Sequence, residues 1–465
     1  MKHAPSAATG EAATGPSAQD VEDGLPVPRR YVAIFALLVT LMMVVLDGAI
    51  ANVALPTIHA ELQASTAKTV WMVTAYQLVL VMALLPAAFL GEAIGPRRLF
   101  TVGVTVFTLA SGLCALAPSI DWLIAARVLQ AFGAAPIMSL TIALLRYSLP
   151  AHMIGMYIGV NSMVVALSSA AGPAIGAAIL SVASWPWLFA INVPIGLVVL
   201  LASTALAGPR GSGRRADVPA MAMNAGAFAL LVLGAGRVAT EPWQGCGMLV
   251  LSVVTFGLLV RREWHREVPV IPLDLLRRQS FRLSVLASIF LFMAFMASFV
   301  SLPFLFQHGF GLPAWETGLA MTAWPLALAV SGPIAGRVSD RVDTAWLCAV
   351  GALTMAVGLG IAAAFPIGLA PLLACMALTG LGFGFVQVPN NRNMLMSVPR
   401  ERAGAAGGSQ GTARLLGQTF GGLAVGILFT VLPDDTVPRY GLAIAACAAA
   451  CSALVSLRRA LGRGT

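Results

Sequence analysis

The sequence predicts an all-α integral membrane protein of fourteen transmembrane helices, built as two six-helix bundles with two extra central helices. Three observations lead there. Of 465 residues, 58% are hydrophobic and 10% charged, and the mean hydropathy is +0.87; a soluble protein carries roughly a quarter charged residues. The apolar runs are long and continuous, without alternation at period two. That excludes a β-barrel and leaves helices, which satisfy their own backbone polar groups in lipid. The basic residues, finally, segregate to alternate loops.

The first 28 residues are small and polar with no apolar core, which reads as a disordered cytoplasmic tail and not a secretory signal. Apolar segments follow near 31–55, 70–90, 98–117, 122–145, 154–180, 186–207, 219–237, 246–261, 282–306, 317–336, 345–365, 368–391, 403–431 and 438–457, joined by short loops rich in Pro and Gly. With the N-terminus inside, Lys68, Arg237 and Arg439 fall in outer loops and Arg127 and Arg414 within spans; the rest of the 28 Lys and Arg residues lie on the inner side. The positive-inside rule then puts both termini in the cytoplasm. A short basic turn follows the second span of each half, GEAIGPRR at 91–98 and GRVSDR at 336–341. The expected division is a tail (1–28), an N-terminal six-helix bundle (29–208), two linker helices (209–262), a C-terminal six-helix bundle (263–458) and a cytoplasmic tail (459–465). Repeated halves of this kind frame a site near the bilayer midplane.

The chemistry starts at LDGAIANVALP (46–56), where Asp47 stands alone in an apolar run. It lies roughly 25 Å along the helix from Arg30 and roughly 14 Å from Pro56, at about 1.5 Å per residue, too deep for a short side chain to reach either surface. An acid at a helix centre costs on the order of 3 kcal/mol; such a group either handles protons or cations or hydrogen-bonds a neighbouring helix. In RVLQAFGAAP (127–136), Arg127 and Gln130 share a helical face. Arg127 either snorkels to the headgroups or turns inward to act on Asp47; proton coupling is assigned to these two. In SSAAGPAIGAAI (168–179), Gly172 and Gly176 make a slim face and Pro173 removes a backbone hydrogen bond. WPWLFAINVPIG (185–196) follows, with Asn192 and Pro194 opening a span.

Glu92 with Arg97 and Arg98, and Asp340 with Arg337 and Arg341, place acids among basic residues at helix ends, where they can latch one conformation; Gly172, Pro173 and Gly176 complete the expected gating set. Arg414 lies mid-span in GGSQGTARLLGQTFGG (407–422), flanked by Gln410 and Gln418, and a basic group so deep wants water, a carbonyl or an anion. The expected substrate cavity is lined by Asn52, Tyr76, Gln77, Gln130, Asn161, Trp324, Gln387, Asn390, Asn391 and Arg414. Trp71, Phe292, Phe295 and Met296 are candidate apolar walls. The six cysteines and five histidines form no metal or catalytic grouping, and there is no Gly-Lys-Ser/Thr phosphate loop. No metal, cofactor, enzymatic activity or nucleic-acid partner is therefore expected, and the +9 charge is assigned to the inner loops.

Together these stretches resemble the major facilitator superfamily, and within it the fourteen-span drug:proton antiporter branch (EmrB/QacA-like), from about residue 31 to 457. LDGAIANVALPTI resembles the first-span signature, RVLQAFGAA the fourth, and AGPAIGAAI the fifth-span element of exporters, with Ser168 and Ala177 replacing its outer glycines. GEAIGPRR resembles the loop after the second span, with Glu92 for the usual Asp and Ala93 where Arg is common. The resemblance implies a monomeric carrier in the bacterial inner membrane whose bundles rock about a central cavity. Asp47 would exchange protons and the proton gradient would drive export of amphipathic or cationic small molecules; proton-coupled uptake of a nutrient or vitamin is the alternative.

Overall fold

Each apolar run becomes a helix in the computed structural model, which describes residues 25–462 except 65, 210, 214–216, 239–240, 265, 267–271, 313 and 434–435. The long helices are α1 (Arg29–Val53), α2 (Thr66–Ile94), α3 (Pro96–Ala115), α4 (Ile120–Ser148), α5 (Ala151–Val182), α6 (Asn192–Ala202), α7 (Val218–Arg237), α8 (Pro242–Glu263), α9 (Gln279–Phe304), α10 (Ala323–Val338), α11 (Thr344–Ala364), α12 (Leu369–Met396), α13 (Ala403–Val431) and α14 (Val437–Leu461). Among the described residues, thirteen helical stretches are long and apolar enough to cross a membrane, and there is no strand. Two spans are broken: the short helix Trp187–Ala190 precedes α6 across Ile191, and Ala314–Met321 precedes α10 across Thr322.

Local chemistry sets the boundaries. Ser119, Asp217 and Asp343 cap α4, α7 and α11, accepting from the backbone N–H of Trp122, Ala220 and Ala345. A single residue, Gly95, joins α2 to α3 at φ +110°, a left-handed conformation that glycine adopts without steric cost. The first turn of Pro96–Ala115 takes a proline, whose missing N–H would have had no partner there. Two ends differ from expectation. Leu25, placed in the tail, is buried and donates its N–H to Ser148 O at 3.1 Å. The last helix runs past residue 458 to Leu461, and Arg459 is buried inside it. Residues 1–24 and 463–465 lie outside the described residues.

Helices α1–α6 pack on one another, as do α9–α14, with matching partners: α3 with α4 and α11 with α12, α1 with α6 and α9 with α14. The likeness reaches single glycines. Gly103 of α3 and Gly133 of α4 face each other's carbonyl, and so do Gly351 of α11 and Gly382 of α12. A Cβ on any of them would come within 3 Å of the facing carbonyl oxygen, so each crossing depends on the missing side chain. α7 and α8 pair with each other and touch the rest mainly through α2. Little of their apolar surface is covered, and Val250, Leu251, Val253, Val254 and Leu258 stand exposed where acyl chains would lie.

The halves meet along α5 with α10 and along α2 and α4 with α13. The tightest of these contacts lie toward the arginine-rich loops. Gly155 and Gly159 of α5 abut the backbone of Gly336 and Gly332 on α10, Gly407 abuts Ser139 O, and Gly404 and Gly408 abut Ala88.

Candidate functional site

Asp47 lies in the C-terminal third of α1, and its side chain is fully buried. Its Oδ2 accepts from Arg127 Nη1 at 2.5 Å. Its Oδ1 accepts twice, from Gln130 Nε2 at 2.9 Å and from Asn192 Nδ2 at 2.8 Å. Arg127 Nη1 also donates to Gln130 Oε1 at 2.6 Å, and Gln130 Nε2 donates to Ser111 Oγ at 2.8 Å. The guanidinium of Arg127 stacks 4.0 Å from the centre of the Tyr76 ring, with Phe189 5.6 Å away. Five helical elements thus supply one closed network: α1, α2, α3, α4 and the broken span of Trp187–Ala202. Arg127 turns inward, not toward headgroups.

The arrangement has a chemical consequence. An ion pair with no exposed surface is held only while both partners are charged and hydrogen-bonded. Adding a proton to Asp47 removes the attraction that holds Arg127 and leaves Gln130 as its remaining side-chain hydrogen-bond acceptor. The pair thus depends on the charge of Asp47. Asp47 and Arg127 were expected for proton coupling and Tyr76 and Gln130 as cavity lining; the structure brings all four into this one buried network, together with Asn192 and Ser111, to which the sequence gave no site role. The signal for Asn192 was an amide in an apolar run beside a helix break.

Among the described residues the second half carries no such pair at the matching place. Where α1, α2 and α4 bring Asp47, Tyr76 and Arg127, their counterparts α9, α10 and α12 bring Phe295, Trp324 and Phe383, with ring centres 5.5 to 6.1 Å apart. Phe292 joins Phe383 edge-on at 5.5 Å. Of the other expected cavity residues, Asn390 is sequestered inside this half. It donates to Ser284 O and Ser288 Oγ and accepts from Arg459 at 2.6 Å. Asn391 lines a small void between the halves with Ile142 and Gln410. Asn161 and Gln387 are buried, with their amide oxygens unpaired. Gln77 is exposed. Arg414, partly buried on α13, reaches across to the first half, with Nη2 3.9 Å from Met138 Sδ. The side chains of Asn52 and Pro173 lie outside the described residues.

At the arginine-rich end Glu92 does not pair with Arg97 or Arg98. It crosses to the second half, taking Arg402 at 2.5 Å and the N–H of Ala405 at 3.0 Å, so a carboxylate of one half caps helix α13 of the other. Arg402 also pairs with Asp274 at 2.7 Å. Burial opposes its charge, but the two carboxylates outweigh that and push its pKa up. Arg146 of α4 donates to the free carbonyls of Leu395 and Val398 at the end of α12. Asp340 pairs with Arg392 at 2.9 Å and not with its sequence neighbours Arg337 and Arg341, which are exposed. Arg97 donates to Thr204 O and Arg98 is exposed. Gly172 packs on Ala49 of α1, and Gly176 is buried.

A polytopic helical fold with matched halves, a buried ion pair in one and an ion pair joining the two at one end is the architecture of a secondary carrier. The chain belongs to the major facilitator superfamily, whose family model matches residues 37–422 and 284–460. It is 45% identical over 92% of its length to an uncharacterized transporter, YebQ, of Escherichia coli K12, covering 96% of that protein. It is 31% identical to the riboflavin transporter RibZ of Clostridioides difficile (84% of this chain, 87% of that one). It is 30% identical to the tetracenomycin C resistance and export protein of Streptomyces glaucescens (88% and 78%). The fold matches that of the proton:xylose symporter XylE with a TM-score of 0.66 at 14% identity, covering 91% of this chain and 94% of that one. The protein is thus a proton-coupled, multi-pass membrane transporter and not an enzyme. It draws on the proton gradient, and no cluster of metal-ligating side chains occurs among the described residues.

Proposed function

We propose that this transporter exports amphipathic small molecules across the bacterial inner membrane in exchange for protons, by alternating access. The reading takes the long helices as fourteen spans, two six-helix bundles (29–208 and 263–458) and two helices between them. It places both termini and the arginine-rich loops in the cytoplasm. On that orientation the Glu92–Arg402 bridge, the Arg146 cap and the α5–α10 glycines close the cytoplasmic side in the described conformation.

One observation carries the mechanism: the fully buried Asp47–Arg127 pair in the first half. A proton arriving from outside would release Arg127, loosen α1 from α4 and α6, and let the halves rock; deprotonation toward the cytoplasm would restore the pair. One proton supplies roughly 1.4 kcal/mol per pH unit and roughly 2.3 kcal/mol per 100 mV, enough for uphill export. The expected affinity of a lone acid for cationic substrates does not carry over to this state, because Arg127 already neutralises Asp47.

Export is supported by the relative that exports tetracenomycin C, while the relative that transports riboflavin supports a vitamin as cargo, the alternative reading. Inside-out vesicles decide between them. Under an inward-acid gradient an exporter accumulates amphipathic dyes and an importer does not, and the proton flux must vanish in Asp47→Asn.

A further inference from the structure

Arg414 stands out among the charges within the spans. Asp47 and Arg127 cancel each other, whereas Arg414 has no ion pair among the described residues. Its contact is a thioether sulfur, Met138 Sδ at 3.9 Å, and its Nε has no hydrogen-bond partner. It lies mid-span on α13, the helix that runs antiparallel to α2 along the boundary between the halves, three residues after Gly411, which packs on Leu84. Because the two helices run in opposite directions, the step from Gly411 to Arg414 leads along α2 from Leu84 toward Tyr76, eight residues earlier. The hydroxyl of Tyr76, buried, has no partner either. A guanidinium held in the membrane interior keeps its proton and is costly to leave unmatched. Its planar fork fits a carboxylate through two parallel hydrogen bonds.

We propose that Arg414 is the anion-binding group of the substrate site, and that the transporter takes amphipathic organic anions, carboxylates first among them. The carboxylate would bridge the Arg414 guanidinium and the Tyr76 hydroxyl, with the rest of the molecule between the halves. The ring of Tyr76 is itself engaged with Arg127, at 4.0 Å from the ring centre. One residue therefore touches both the substrate group and the partner of Asp47, giving cargo and proton a shared wall. The proposal deepens the export reading and rests on it for transport, though not for binding.

The test is binding to the purified full-length protein, followed by thermal stability, of a panel of aromatic amphiphiles that share a ring system and end in a carboxylate, an alcohol or an ammonium group. Naphthoates, naphthylmethanols and naphthylmethylammonium salts of graded chain length serve. Carboxylates are expected to raise the unfolding temperature and the others not. Arg414→Gln should weaken carboxylate binding roughly tenfold to a hundredfold, as loss of a charge-assisted hydrogen-bonded contact does. Arg414→Lys should retain part of it, and Arg414→Glu should transfer the preference to the ammonium series. In proteoliposomes, one-for-one exchange of a monoanion for a proton moves two elementary charges per cycle, so a membrane potential alone should drive it. Stabilisation by ammonium compounds only, by every member equally or by none overturns the proposal. Carboxylate binding without proton-driven flux would leave it standing and remove the export reading; proton-driven export of cations would do the reverse.

Discussion

The buried pair permits a quantitative test because its two oxygens have separate tasks. Oδ2 of Asp47 meets Arg127, while Oδ1 accepts from Gln130 and Asn192. Asp47→Asn can keep an oxygen at the second position and place an NH2 against the guanidinium. The substitution then deletes the ionic contact with little else changed. At 2.5 Å and with neither side chain exposed, removing one partner leaves an uncompensated buried charge, worth about 3–5 kcal/mol. Arg127→Gln should cost a similar amount. The double variant should be more stable than the sum of the two losses predicts by about 3 kcal/mol, since neither ion is then orphaned. Equilibrium unfolding in mixed micelles measures the cycle, and proton-driven uptake in proteoliposomes reads the function of the same proteins. Asp47→Asn should lose uphill transport while substrate exchange continues. Additivity of the two losses within about 0.5 kcal/mol, or unchanged gradient-driven flux, would refute the assignment.

Three further outcomes follow from the geometry. Asn192→Leu removes one of the donors on Asp47 and should destabilise the folded protein by about 1.5–3 kcal/mol, the range for a hydrogen bond to a charged group, readable by the same unfolding assay. Glu92→Gln weakens the bridge to Arg402 and the cap on α13 and should shift the population toward an open arginine-rich end by roughly tenfold. Alkylation of a cysteine placed at Ser139, now covered by Gly407, should rise accordingly. Gly159→Val sets a side chain where a Cβ already falls 2.5 Å from Gly332 O. It should disfavour the closed α5–α10 contact strongly enough to raise alkylation of a cysteine placed at Ser339, which is buried against Gly155. Unaltered alkylation would show that the contact accommodates the side chain.

Reading the chain by hydropathy located the helices to within a few residues, because lipid leaves a backbone no alternative to the helix. Asp47 and Arg127 were legible for the same reason: a charge in a run of apolar side chains needs a reason to be there. Partners were harder. Asp340 was expected to pair with Arg337 or Arg341, its nearest basic residues, yet it pairs with Arg392 on another helix. Sequence proximity at a helix end does not turn two side chains toward each other, and Arg337 and Arg341 face outward. Glu92 was identified as a latch residue, but its partner Arg402 follows 310 residues later and has no local pattern to mark it. Asn390 seemed a cavity residue because it stands among polar neighbours, and only packing revealed that Arg459 and two serines occupy it.

The matched halves are alike in backbone and unlike in content. One wraps charge in amides; the other, at the corresponding crossing, stacks Phe295, Trp324 and Phe383. On the proposed reading those rings face the cargo; substitutions among them would then change which molecules ride and leave untouched the charge network, which lies wholly in the other half.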